Sequence, residues 1–145
     1  MSKLIDTQVD EMLTAAGIKY TATLLGATRN TSWGNVECDQ WVVTFGTQSF
    51  PYYTGTGLRE KPKSFSRNVK PVAVTPPAAS VLYCLLSDAS AVEMNHHDWC
   101  DIFGYDRDSR KALQIYTTCL EQSERLFQIF PHPLIAELKV LLDEY

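Results

Sequence analysis

Hydrophobic and polar positions keep helical spacing at both ends of this chain and strand spacing between them. Ile5, Val9, Met12 and Leu13 fall three and four residues apart, as on one helix face, and Gly17 stops the run. From Ile18 to Thr28 the period drops to two, with Ile18, Tyr20, Ala22 and Leu24 sharing a face. The polar residues Arg29 to Asn35, which include Gly34, predict a turn. Alternation resumes from Val36 to Phe45 through Trp41, Val43 and Phe45. Gly46-Thr47-Gln48-Ser49 then reverses the chain into Phe50-Pro51-Tyr52-Tyr53, and two such runs around a short glycine-containing loop predict a hairpin. Pro51 lacks the N–H that a central strand donates, so this last strand is expected at an edge.

No period holds from Thr54 to Pro77, a stretch with Gly55, Gly57, Pro62, Pro71, Pro76 and Pro77. After it the spacing is helical again. Val81, Leu82 and Leu85 follow Pro76-Pro77, whose missing donors are harmless at the start of a helix. Asn95 can cap a short helix containing Trp99, Cys100 and Phe103 that ends at Gly104. Asp106 or Asp108 is expected to cap the longest helix. Its apolar stripe is Ala112, Ile115, Tyr116, Cys119, Leu120 and Phe127, leaving Arg110, Lys111, Gln114, Glu121, Gln122 and Arg125 for water. Pro131 and Pro133 interrupt it, and Leu134, Ile135, Leu138, Leu141 and Leu142 form the face of a closing helix. Strands grouped between helices predict an α+β fold rather than a parallel α/β sheet. The expected architecture is an N-terminal helix and small three-stranded antiparallel sheet (1–54), a basic Pro/Gly loop (55–77) and a C-terminal helical bundle (78–145).

The 145 residues suit a single domain, and 45% hydrophobic with 21% charged residues is ordinary globular composition. Charge is divided unevenly. Residues 1–75 hold eight basic and six acidic side chains, whereas residues 76–145 hold five and eleven, for a total of −4. An acidic chain argues against general nucleic-acid binding, because phosphate affinity comes from basic residues. A polarised one favours oriented encounter with a partner. No uncharged apolar run approaches the ~20 residues of a membrane span. Met1-Ser2-Lys3-Leu4-Ile5-Asp6 shows no signal-peptide pattern, so a soluble intracellular protein is expected.

The unpatterned stretch is the most basic part of the chain: Arg59, Lys61, Lys63, Arg67 and Lys70 against Glu60 alone, with Phe65 in the middle. It reads either as a solvated linker or as an arm that contacts an acidic partner or a nucleic-acid backbone. Tyr52 and Tyr53 at the expected edge, with Phe65, have the chemistry of a protein-recognition surface. These eight residues (Tyr52, Tyr53, Arg59, Lys61, Lys63, Phe65, Arg67, Lys70) are the candidate partner-binding set.

Catalytic chemistry finds less support. His96 and Cys100 share one helical stripe at i,i+4, and His97 and Asp101 share the next, but a tetrahedral zinc site needs a second pair of ligands. A nucleophilic Cys100 would need an oriented base, and Trp99-Cys100 on an amphipathic helix has the pattern of core packing. Cys38, Cys84, Cys100 and Cys119 lack CxxC spacing and read as reduced structural thiols. Asp106-Arg107-Asp108-Ser109 lacks the glycine and terminal glutamate of a calcium loop, and Gly55-Thr56-Gly57 is too little for a nucleotide site. No enzyme activity, metal or cofactor is expected.

Several short pieces occur in a set order. Cys38-Asp39-Gln40-Trp41 precedes Tyr52-Tyr53-Thr54-Gly55-Thr56-Gly57, and Leu82-Tyr83-Cys84-Leu85-Leu86-Ser87-Asp88 follows. Then come Asp98-Trp99-Cys100, Phe103-Gly104-Tyr105-Asp106, Asp108-Ser109-Arg110-Lys111-Ala112 and Tyr116-Thr117-Thr118-Cys119. This order resembles a group of small accessory proteins encoded by bacteriophages and prophages, over roughly residues 36–145. The resemblance implies action in the cytoplasm of a bacterial host as a stoichiometric inhibitor of host defence, in particular as an anti-CRISPR protein. Its partner would then be a Cas subunit of a multi-subunit complex. The other reading is a phage nucleic-acid or replication accessory that works through the basic loop.

Overall fold

A computed structural model describes residues 2–28, 38–54 and 74–145. Among these the chain forms five helices and a three-stranded antiparallel sheet, an α+β fold. The order is α1 (Ser2–Ala15), β1 (Tyr20–Thr28), β2 (Cys38–Phe45), β3 (Gln48–Tyr53), α2 (Ala78–Ala91), α3 (His96–Phe103), α4 (Arg110–Ile129) and α5 (His132–Leu142).

In α1, Ile5, Val9 and Leu13 are buried at i,i+4 spacing, as the sequence pattern requires. The helix ends as expected at Gly17, whose φ is +72°. There the Ile18 N–H reaches back to the Leu13 carbonyl at 2.9 Å and the Gly17 N–H to Thr14 at 3.0 Å, satisfying carbonyls that have no partner within the helix.

The strands pair in the order β1-β2-β3. Trp41 lies opposite Leu24 and Tyr52, Val43 opposite Ala22 and Phe50, and Phe45 opposite Tyr20 and Gln48. The buried row Trp41, Val43 and Phe45 faces the helices. Pairing slips between Leu24 and Gly26, a bulge that leaves Leu25 unpaired and exposed. The alternation read from Ile18 to Leu24 therefore stops there, although the strand runs on to Thr28.

The β2–β3 turn is tighter than the four residues expected. Phe45 pairs with Gln48, so only Gly46 and Thr47 turn while Gln48 and Ser49 belong to β3. Gly46 has φ +62° and Thr47 does not adopt positive φ, the pattern of a type II′ hairpin turn. A Cβ on Gly46 would stand 3.2 Å from Ile129 Cγ2, whereas one on Gly17 would meet nothing within 4 Å. Gly46→Ala is expected to cost about 2 kcal/mol, combining left-handed strain with the crowded contact. Gly17→Ala should cost about half as much, through strain alone. Paired urea titrations check this order.

Pro51 pairs with Val42 on the outer strand, so the expected edge is present. The expected exposure of Tyr52 and Tyr53 is not: they are 6% and 7% accessible. An edge strand lacks a neighbour in the plane of the sheet, but its faces can still be covered. Tyr52 stands beside Trp41 in the core row, and burial foremost, with Cys84 second, raises its phenol pKa.

α2 is buried on several sides (Ala79, Val81, Leu82, Leu85, Leu86), which suits its place against α1, α4 and α5. Pro77 takes its N-cap position, and the Pro76 carbonyl accepts the Tyr20 hydroxyl at 2.6 Å. α3 is capped as expected: Asn95 accepts the Asp98 N–H at 2.9 Å and Gly104 ends the helix in the left-handed conformation.

α4 corrects two expectations. Its cap is Ser109, which accepts the Ala112 N–H at 3.2 Å, while the Asp106 carboxylate is engaged by the Asp108 N–H in the preceding turn. Arg125, assigned to water, is half-buried. It donates to Gln48 at 3.1 Å and to the Ser49 carbonyl, with its guanidinium 4.8 Å above the Phe50 ring, and so holds α4 to the edge strand.

Two apolar clusters result. The larger joins α1, the sheet, α2, the end of α4 and α5; the smaller holds Val92, Trp99, Cys100, Ala112 and Cys119 between α3 and the first half of α4.

Candidate functional site

The basic residues Arg59, Lys61, Lys63, Arg67 and Lys70, together with Phe65, lie outside the described residues. Tyr52 and Tyr53 belong to the buried part of the sheet. The described surface with functional chemistry lies instead on α3 and along the outer helices.

On α3 the helical repeat assembles two pairs anticipated from spacing. His96 Nε2 lies 3.3 Å from Cys100 Sγ, and His97 Nδ1 lies 3.6 Å from Asp101 and 3.4 Å from Asp98. Cys100 is fully buried, and its thiol pKa is pushed up by that burial first, then by Asp101 and Asp106, with Arg107 opposing. A thiol whose pKa is raised is held away from the nucleophilic thiolate form at neutral pH. His97, Asp98 and Asp101 could each offer one metal ligand atom, all within 4.8 Å of one another. Asp101 is shared with Arg107 at 3.4 Å, so a cation there would compete with an existing ion pair.

Beneath these groups Trp99 stacks on Tyr105 with ring centres 5.1 Å apart and an interplanar angle of 8°. It meets Tyr116 and Phe103 at 5.3 Å. The Tyr116 hydroxyl donates to the Met94 carbonyl at 2.8 Å, tying α4 to the segment before α3. The Trp-Cys, Gly-Tyr-Asp and Asp-Ser-Arg-Lys-Ala pieces thus meet in one place, as packing and as turn or cap residues.

The outer surface of the helical half is strongly anionic. Of its eleven acids, all except Asp88, hence ten, are exposed. Sequence reasoning reached this charge but missed a second feature, an open groove of about 700 Å³ between α1 and α5. Ala15, Ala136, Met12, Val140 and Leu141 line it, and Gln8, Glu11 and Glu137 border it. Val140 is 76% exposed. Its signal in the sequence was faint: one apolar residue off the buried stripe of α5.

No protein-family model matches the chain, and neither a curated protein nor a solved structure with significant similarity to it was found. Among the described residues no helix is long and apolar enough to cross a membrane.

Proposed function

We propose that this protein is a phage-encoded, stoichiometric inhibitor of bacterial host defence, an anti-CRISPR protein that binds a Cas subunit of a multi-subunit complex in the host cytoplasm. The observation that carries this reading is the excess of ten exposed carboxylates on a half of the chain that holds five cations. A Cas subunit attracts guide and target through basic side chains, and an exposed anionic surface competes for the same field. Opposed charge would speed and orient the encounter, and blocking target DNA or disturbing assembly would need no turnover. The phage context rests on the resemblance carried by the motif order from Cys38 to Cys119.

The test is a titration of purified protein into a reconstituted CRISPR surveillance complex with labelled target DNA. Target binding should fall as the inhibitor approaches one equivalent per binding subunit. Glu121→Lys with Glu124→Lys, both on the exposed side of α4, should weaken inhibition about tenfold without changing the fold. A complex that stays fully active at excess inhibitor overturns the reading. Salt-sensitive DNA binding by the protein alone, reduced on neutralising Lys61, Lys63 and Arg67, would favour the nucleic-acid accessory instead.

A further inference from the structure

We infer that the groove between α1 and α5 is a docking site for a basic amphipathic helix of a protein partner. The inference rests on the reading that this chain acts by binding a protein, and it names the chemistry of one such contact. From Gln8 to Ala15 the groove follows α1 for about 10 Å, roughly two helical turns. That length accepts successive anchors at i, i+3 or i+4 and i+7, the recognition mode in which a helix lays its apolar face into a groove. Ala15 and Ala136 have small side chains that let a backbone approach, and Met12, Val140 and Leu141 supply apolar contact. Leu4, 61% exposed, continues the α1 stripe beyond the groove at the spacing 4, 8, 12, 15.

Charge selects the occupant. The bordering Glu11 and Glu137 are exposed, and no lining residue is a cation. Leucine-type anchors flanked by lysine or arginine would satisfy both the apolar floor and the acidic border. A second copy docked face to face would instead oppose two Glu11 and two Glu137 side chains, as a two-fold contact pairs each patch with itself. An anionic lipid surface would meet the same repulsion.

The test is fluorescence anisotropy of a labelled amphipathic peptide of leucine and lysine, its leucines on one helical face, titrated with the full-length chain. Saturable one-to-one binding is expected. Ala136→Trp, at an exposed position where the larger ring fills the groove, should weaken it about tenfold or more. Val140→Asp should do the same, and Glu11→Lys with Glu137→Lys should weaken it about tenfold. A leucine–glutamate peptide of the same pattern should not bind. Circular dichroism of each variant confirms that the fold is retained. The inference is overturned if the glutamate peptide binds equally well, or if Ala136→Trp and Val140→Asp both leave binding intact. It is equally overturned if sedimentation shows a dimer that Val140→Asp dissolves, for then a second copy is the occupant. The assay contains no CRISPR component: its failure leaves the inhibition titration standing, and failure of that titration leaves the groove's occupant to be read here.

Discussion

Trp99→Ala is expected to lower stability by about 4 kcal/mol and to open one end of the molecule before the rest. Removing a fully buried tryptophan costs about 3–5 kcal/mol, from lost transfer energy and the cavity left behind. Here the ring contacts Tyr105, Phe103 and Tyr116, in a cluster with five buried members among the described residues. The larger core lies elsewhere, so the loss should concentrate on α3 and the first half of α4. Native-state hydrogen exchange reads this directly: amides from Trp99 to about Cys119 should lose protection at low denaturant, while those of β2 and α2 keep theirs. Equal loss in β2 would show that the two clusters open as one unit.

Phe45→Ala should cost a similar amount, about 4 kcal/mol, but act globally. Phe45 is fully buried at the end of β2, with Tyr20 4.9 Å away across the sheet and Phe130 5.7 Å away at the end of α4. Its ring joins three segments separated by some 110 positions in the chain. No single element can detach to relieve the void, so exchange protection should fall together in α1, the sheet, α2 and α5. Against a total stability of about 5–15 kcal/mol for an ordinary protein, either substitution leaves little margin. Urea unfolding followed by both fluorescence and circular dichroism checks the second prediction. A shift under about 2 kcal/mol would mean that the site repacks around the smaller side chain.

The candidate site was legible where chemistry follows from helical repeat. His96 with Cys100, and His97 with Asp101, meet on α3 because four residues bring side chains one above the other. What those pairs can do depends on burial, and for Cys100 the Trp99-Cys100 pattern pointed to the core, where the thiol lies. Cys100 sits beside a histidine and is the core thiol expected. The reading of the tyrosines at the edge erred, since Pro51 reported on backbone donors and carried no information about which faces of β3 are covered.

Short-range order was written into the chain. The Asn95 cap, Gly17 and Gly104 act through bonds to residues within about a turn, and the spacing of Ile5, Val9 and Leu13 follows from the helical repeat, so local sequence determines them. Position within a cluster of capping residues was harder: Asp106, Asp108 and Ser109 all suit an N-cap, and the choice falls to Ser109 because Asp106 closes the turn before it. Contacts between distant segments belonged to the tertiary structure alone. Arg125 reaches residues more than seventy positions away, the bulge at Leu25 answers to its pairing with β2, and the groove exists only because the two ends of the chain lie side by side. Such contacts arise from how whole faces pack, and periodicity names the faces without saying which of them meet.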